Sequence, residues 1–246
     1  MVGEKLEQIK IAIKPINKAS TPTLVANIDG GHIKARGDNR SFEAMIATIY
    51  QPKNLKIVDK NHNTLVAKTI VSSAKSDEQI TMKALFKNAC ITEGMGGDTE
   101  VICLADGAHN CKSIAYSIAE NCKSMTYILD WFHIAMKFQN ISILDVDKEL
   151  LESTKWNLWH GNCDKALGCL KKLMEIKTIT EDKSLTTKLR KLSTYISNNK
   201  DGIVNYAERK NKGLVFTSNL AESTVNTLIN ERQKGKQKML WGREGA

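Results

Sequence analysis

The 246 residues include 36 Lys and Arg against 27 Asp and Glu, a formal net charge of +9, and 41% of them are hydrophobic. This composition excludes a disordered tail, because so many apolar side chains can bury a substantial core. The sequence also contains no membrane-spanning run and no secretion signal in its first twenty residues, so we expect a cytoplasmic protein. The positive charge favours a polyanionic partner such as nucleic acid.

The first part of the chain is predicted to form strands before its first long helix. Residues 23–29 are apolar and rich in β-formers, and the two glycines after Asp29 indicate a turn. A helix is predicted over 76–91, with Ser76 as its N-cap. Further strands of an antiparallel meander are expected at 40–52, 56–59 and 63–73.

The middle of the chain is predicted to form a strand, a helix and a second strand, at 100–106, 109–121 and 125–130. This succession is typical of a βαβ unit with a right-handed crossover. Beyond Trp131, helical patterns continue to about Tyr206, and the three prolines all precede this region. We therefore expect an α/β fold with a mostly helical second half.

The six cysteines form no CxxC pair, and several lie in apolar runs. Small buried thiols pack well in such runs, so we expect reduced cysteines and not a disulfide framework. The six residues are Cys90, Cys103, Cys111, Cys122, Cys163 and Cys169.

Three of the predicted strands end in an aspartate, namely Asp29, Asp106 and Asp130. In open α/β sheets, ligands collect at the carboxyl ends of strands, so these carboxylates are candidates for one site. A divalent cation removes the repulsion between them, and two Mg²⁺ or Mn²⁺ ions with oxygen ligands support phosphoryl transfer. The alternative is that each aspartate only ends a strand and begins a turn.

Five segments together resemble the successive motifs of a known family. They are NIDGG (27–31), LADGAHN (104–110), ILDWFHIAMKF (128–138), NLAEST (219–224) and RQKGKQKMLWGREGA (232–246). Their order and rough spacing are similar to those of the DDE transposases of the ISKra group of bacterial insertion sequences and, more distantly, of the Mutator-like transposases. The resemblance implies a ribonuclease-H-like fold, with a mixed five-stranded sheet flanked by helices and a helical insertion before the last catalytic helix.

The resemblance also implies a division of the chain. Residues 1–21 would be an N-terminal remnant or linker, and 22–138 the first part of the ribonuclease-H-like core. Residues 139–214 would be the helical insertion. The final catalytic helix and a basic tail would occupy 215–246.

The resemblance further assigns the catalytic acids. Asp29 and Asp106 match the family's two aspartates, and Glu222 matches its glutamate. These three side chains are therefore expected to bind two Mg²⁺ or Mn²⁺ ions, which would activate water and then a DNA 3′-hydroxyl. From the residues alone, the alternative is that Glu222 is the capping-box partner of Asn219 at a helix start.

Two groups of accessory residues follow from the motifs. Asp130 and His133 form a D-x-x-H pair that the resemblance places beside the active site, where related transposases carry Cys-x-x-His. We expect a structural or DNA-contacting role for this pair and not metal ligation. His109 follows Asp106 closely, so it either reaches the same pocket or caps a loop.

The aromatic and basic residues of the second half have two interpretations each. Trp131, Trp156 and Trp159 are expected to be core aromatics more than base-stacking platforms. The basic tail contains no acid between residues 232 and 243 and is expected to contact DNA phosphates, a solvated helix end being the alternative. Its predicted DNA-binding residues are Arg232, Lys234, Lys236, Lys238, Trp241 and Arg243.

The leading hypothesis is a DDE transposase that cleaves DNA and transfers strands of an insertion sequence. Its partners would be the element's ends and target DNA, with assembly into a homo-oligomer on DNA compatible with that activity. Only about twenty residues precede the first strand, so we expect a truncated copy. One alternative is a haloacid-dehalogenase-like phosphatase, although Gly31 and Asn110 stand where that family needs aspartates. The other is a catalytically inactive DNA-binding fragment.

Overall fold

The structure is a computed structural model that describes residues 19–34, 41–59, 62–142 and 147–218, with single positions before residue 19. The chain divides into two compact units. The first comprises residues 1–127 with 218–246, and the second comprises 128–217. The predicted helical insertion, 139–214, falls within the second unit.

Seven strands occur in the described part of the chain. They are β1 (Thr23–Lys34), β2 (Ser41–Tyr50), β3 (Leu55–Asp59), β4 (His62–Leu65), β5 (Thr69–Ser73), β6 (Glu100–Ala105) and β7 (Ser124–Leu129). Five of them form a sheet in the order β5-β2-β1-β6-β7. β2 is antiparallel to β1 and β5, whereas β6 is parallel to β1. The predicted α/β fold with a mixed five-stranded sheet is therefore confirmed.

Two helices, α1 and α2 below, pack against this sheet, and helices dominate the second half of the chain, as predicted. They are α1 (Ile80–Thr92), α2 (His109–Tyr116), α3 (Trp131–Ser142), α4 (Lys148–Trp159), α5 (Cys163–Glu175), α6 (Lys177–Glu181), α7 (Lys183–Asn198) and α8 (Tyr206–Asn211). Apolar residues at helical spacing explain the packing of α7, whose Leu185, Leu189, Leu192 and Ile196 are all buried. No described helix combines the length and the apolar character that crossing a bilayer requires.

β1 does not end at Asp29, and the turn predicted after it is wrong. Antiparallel pairing with β2 continues as far as Lys34. The parallel pairing with β6 stops earlier, where Ala105 lies opposite Ile28. Asp29 therefore lies inside a strand, at the point where its parallel neighbour ends.

The segment 63–73, predicted as one strand of a meander, contains two strands in two different sheets. β4 pairs antiparallel with β3, while β5 joins the main sheet beside β2. The N–H of Val66 donates to the carbonyl of Asn54 at 3.0 Å, which closes the β3–β4 excursion. The alternating pattern predicted the strands but could not specify their partners, so the single meander is wrong.

The start of α1 also differs from the prediction. The helix begins at Ile80, and Ser76 is not its N-cap. Asp77 instead accepts from the backbone N–H of Thr81 at 3.1 Å, which satisfies a donor of the first turn. Ser and Asp are both favoured near helix starts, so the sequence alone did not show which of the adjacent residues Ser76 and Asp77 satisfies the first turn.

The core of the first unit lies between the sheet and helices α1 and α2. Alternate residues of β1, among them Ala26 and Ile28, are buried there with Phe86 of α1 and Ile114 of α2. Period-two alternation on a strand and helical spacing on its neighbours bring these side chains to one interior layer. This layer supports the sheet beneath the aspartates.

All six cysteines are free thiols, as predicted. Cys90, Cys103 and Cys111 are buried in the first unit, and burial is the main cause that raises the pKa of each thiol. A raised pKa means that the folded state holds the proton more tightly than the unfolded chain does.

We expect the free energy of unfolding to fall as the pH rises above about 9, the ordinary pKa of a thiol. Below that pH both states keep these protons. Above it, the unfolded chain releases them while the folded protein retains them, so each thiol lowers the stability by about 1.4 kcal/mol per pH unit. Urea titrations between about pH 7 and pH 10 measure this slope.

Two variants test the cause of that alkaline loss. Cys103→Ala removes one deeply buried thiol. It should reduce the slope by the contribution of one proton, about 1.4 kcal/mol per pH unit. Cys169→Ala changes a half-buried thiol on α5 and is the matched control. Equal slopes in the wild type and Cys103→Ala would contradict the assignment.

Candidate active site

The sheet of the first unit brings Asp29 and Asp106 to matched positions. Ala105 is the last residue of β6 and lies opposite Ile28 of β1, and the residue that follows each of them in the chain is an aspartate. Neighbouring strands are about 5 Å apart. Both aspartates are half-buried. Two aspartates far apart in sequence thus occupy matched positions beside the sheet.

Local backbone contacts orient each carboxylate. Asp29 accepts from the N–H of Gly30 at 2.8 Å, and Asp106 accepts from the N–H of Ala108 at 2.8 Å. Gly107, between the latter two residues, has a φ of +92°, a conformation that glycine adopts at low cost. The D-G-A motif therefore has a structural basis, because it turns the chain from β6 into α2 while fixing the aspartate.

Glu43 on β2 is a third carboxylate of this region, and the sequence analysis missed it. Its Oε2 accepts from Nδ2 of Asn110 at 2.8 Å. Its Oε1 lies 2.8 Å from the place that a Cβ would occupy at Gly30, so the glycine leaves room for this carboxylate. Only the pairing of β2 with β1 brings Glu43 here, and the alternating pattern of its strand did not distinguish it.

All three carboxylates raise the pKa of the Cys111 thiol on α2. The thiol is 1% exposed, and burial is the largest cause of its raised pKa. The charges of Asp106 and Asp29, a hydrogen bond to Asp106 and the charge of Glu43 raise this pKa further. The region therefore has a negative potential concentrated around one buried, protonated thiol.

The oxygen donors of this region suit a hard divalent cation. Mg²⁺ is commonly held in proteins by one or two carboxylates, with water and substrate phosphates completing its shell, and Asp29 and Asp106 could supply that pair. Within the described residues, no group of three or more His, Cys, Asp or Glu side chains could hold a metal ion. Glu222, the predicted third ligand, lies outside them, so the metal site stays a prediction.

The D-x-x-H pair belongs to the second unit. Asp130 directly follows β7 and is fully buried. Its Oδ1 accepts from the N–H of Phe132 at 3.1 Å, and its Oδ2 lies 3.0 Å from Nδ1 of His133. The carboxylate thus caps the start of α3 and orients the imidazole, which agrees with the expected structural role. Contact of this pair with DNA stays a prediction.

The other predicted site residues have different outcomes. His109 is the first residue of α2 and is exposed, so its role in the pocket stays a prediction. Trp131 and Trp159 pack edge to face, with ring centroids 4.7 Å apart, but both are only half-buried, so the expected core role holds only in part. Trp156 is 65% exposed, so a core role for it is wrong. The predicted DNA-binding residues Arg232, Lys234, Lys236, Lys238, Trp241 and Arg243 lie outside the described residues.

No protein-family model matches this chain, and no curated protein sequence is significantly similar to it.

Proposed function

We propose that this chain is a DDE transposase, which cleaves DNA and joins its strands with divalent metal ions held by Asp29, Asp106 and Glu222. The observation that carries the proposal is the matched placement of the two aspartates, each directly after the last paired residue of two neighbouring parallel strands. The order of the five-stranded sheet supports it, because that order is compatible with a ribonuclease-H-like fold.

The chain's own residues prepare the site for phosphoryl transfer. The N–H groups of Gly30 and Ala108 hold the carboxylates of Asp29 and Asp106, so these ligands need little reorganisation. Bound divalent ions would stabilise the attacking and leaving oxygens of an in-line displacement. Asn110 donates to Glu43, whose charge acts on Cys111 together with those of the two aspartates and adds to the attraction for cations.

A basic helix in the second unit supports DNA as the partner. The sixteen residues of α7 include no acid. Lys and Arg side chains on such a surface neutralise phosphates without reading base sequence. The exposed cations of this helix are Lys183, Lys188, Arg190 and Lys191.

The phosphatase alternative is less well supported. Its nucleophile would have to be Asp29, yet this residue lies inside a strand that continues to Lys34. Residue 31 is a glycine and also pairs with β2, so it supplies no second acid. The inactive DNA-binding fragment remains a direct alternative, because it shares the basic surfaces.

A substrate comparison separates the three functions. Wild-type protein should nick supercoiled plasmid DNA when Mg²⁺ or Mn²⁺ is present and not when EDTA removes the ion, because the carboxylates act through it. It should not hydrolyse para-nitrophenyl phosphate. Phosphatase activity that depends on Asp29, without DNA cleavage, would favour the dehalogenase-like enzyme. Salt-sensitive DNA binding without cleavage under either ion would favour the inactive fragment.

A further inference from the structure

Trp156 on α4 is unusual because 65% of this large side chain is exposed. The helix buries Leu151, Thr154 and Leu158 on its other side. An exposed indole beside a packed helix face is typical of a binding surface, since it leaves a large apolar area in water.

Helical spacing collects further residues around this ring. Glu152, Trp156 and Trp159 follow one another at intervals of four and three residues, so they share one face of α4. They line an open cavity of about 500 Å³ together with Trp131, Ser153 and Lys155. This volume is in the range of sites that hold one small molecule or one nucleotide.

We call the cavity lined by these six residues the tryptophan groove. Aromatic packing holds its floor, formed by Trp131 and Trp159, in place. The ring centroid of Tyr206 lies 4.9 Å from that of Trp131 and 6.1 Å from that of Trp159. Tyr206 is fully buried, and its hydroxyl donates to the carbonyl of Leu129 at 2.7 Å. The groove is therefore preformed, and a ligand would not have to order its floor.

The polar groups of the groove distinguish between ligands. Lys155 lines it, and Nζ of Lys210 lies 5.9 Å from the ring centroid of Trp159, so two cations are available to a phosphate. Glu152 supplies a carboxylate that can accept from an N–H donor of a base, such as N3–H of thymine. Flat aromatic surface beside basic side chains is the arrangement by which proteins hold unpaired bases and their phosphates.

We propose that the tryptophan groove binds an unpaired nucleotide of single-stranded DNA, with its base stacked on Trp156 and its phosphate beside Lys155. The inference rests on the proposed function and deepens it, because cleaving and joining DNA exposes unpaired nucleotides.

The test is fluorescence anisotropy with a labelled single-stranded oligothymidine, in EDTA so that no cleavage occurs. The full chain should bind it more tightly than an abasic oligomer with the same number of phosphates. Trp156→Ala should weaken binding of the oligothymidine by roughly five- to a hundredfold and leave binding of the abasic oligomer unchanged. Trp156→Phe keeps an aromatic face and should retain most of the affinity.

The matched control is Tyr116→Ala, which removes another exposed aromatic ring, in the first unit. It should bind both oligomers as the wild type does. Equal affinity of the wild type for the two oligomers, or equal loss of both on Trp156→Ala, would overturn the inference. Acrylamide quenching gives a further check. The emission of Trp156 is the difference between the emission of the wild type and that of Trp156→Phe. If acrylamide did not quench it, another part of the chain would cover the groove, and the inference would be overturned.

The outcome is separable from that of the proposed function. Plasmid nicking without a preference for bases over abasic sites would remove the groove assignment and leave the transposase proposal intact. A preference for bases without plasmid nicking would support the groove assignment and contradict the transposase proposal.

Discussion

Replacing Asp29 or Asp106 with asparagine should lower metal-dependent DNA nicking by roughly a hundred- to a thousandfold or more. Asparagine keeps the shape of aspartate and an oxygen that can accept from the N–H of Gly30 or Ala108. It removes the negative charge that a divalent ion requires. Single-turnover nicking rates in Mg²⁺ measure the loss.

Folding and DNA binding should survive these substitutions. Asp98 is an exposed residue of the same unit, so Asp98→Asn removes the same charge elsewhere and should nick DNA at the wild-type rate. Removing one carboxylate from a group of like charges should not lower the midpoint of thermal unfolding. A folded Asp106→Asn protein with full nicking activity would exclude this aspartate from the metal site.

Gly94→Ala should destabilise the first unit by about 2–5 kcal/mol. Gly94 has a φ of +100°, which strains any residue with a side chain. A Cβ there would also lie 2.6 Å from the carbonyl oxygen of Ala19, a backbone atom that cannot rotate away. The contact matters further because the carbonyl of Gly94 accepts from the N–H of Thr21, just before β1. Thermal and urea unfolding measure the change.

The same loop provides a matched control. A Cβ at Gly97 would meet no atom within 4 Å, and this glycine does not have a positive φ. Gly97→Ala should therefore change the stability by less than about 0.5 kcal/mol. Equal unfolding midpoints for the two variants would show that the close approach of Ala19 does not restrict position 94 to glycine.

The sequence predicted the elements whose signal is local. Continuous apolar runs identified β6 and β7, and helical spacing identified the helix between them, because period and length distinguish these structures without knowledge of neighbours. The same reasoning predicted buried, unpaired cysteines. It placed Asp29 and Asp106 together as well, since the ends of parallel strands share one edge of a sheet.

The tertiary structure decided which partners those elements have. The alternation in 63–73 is the same whether a strand joins β2 or β3, so it could not show the division between two sheets. Only the pairing of β2 with β1 places Glu43 beside Gly30, the residue after Asp29. Trp156 and Trp159 are alike in the sequence, but Tyr206 and Phe216 pack against the second and leave the first exposed. Local patterns specify periodicity and burial tendency, whereas register and packing depend on residues that are distant in the chain.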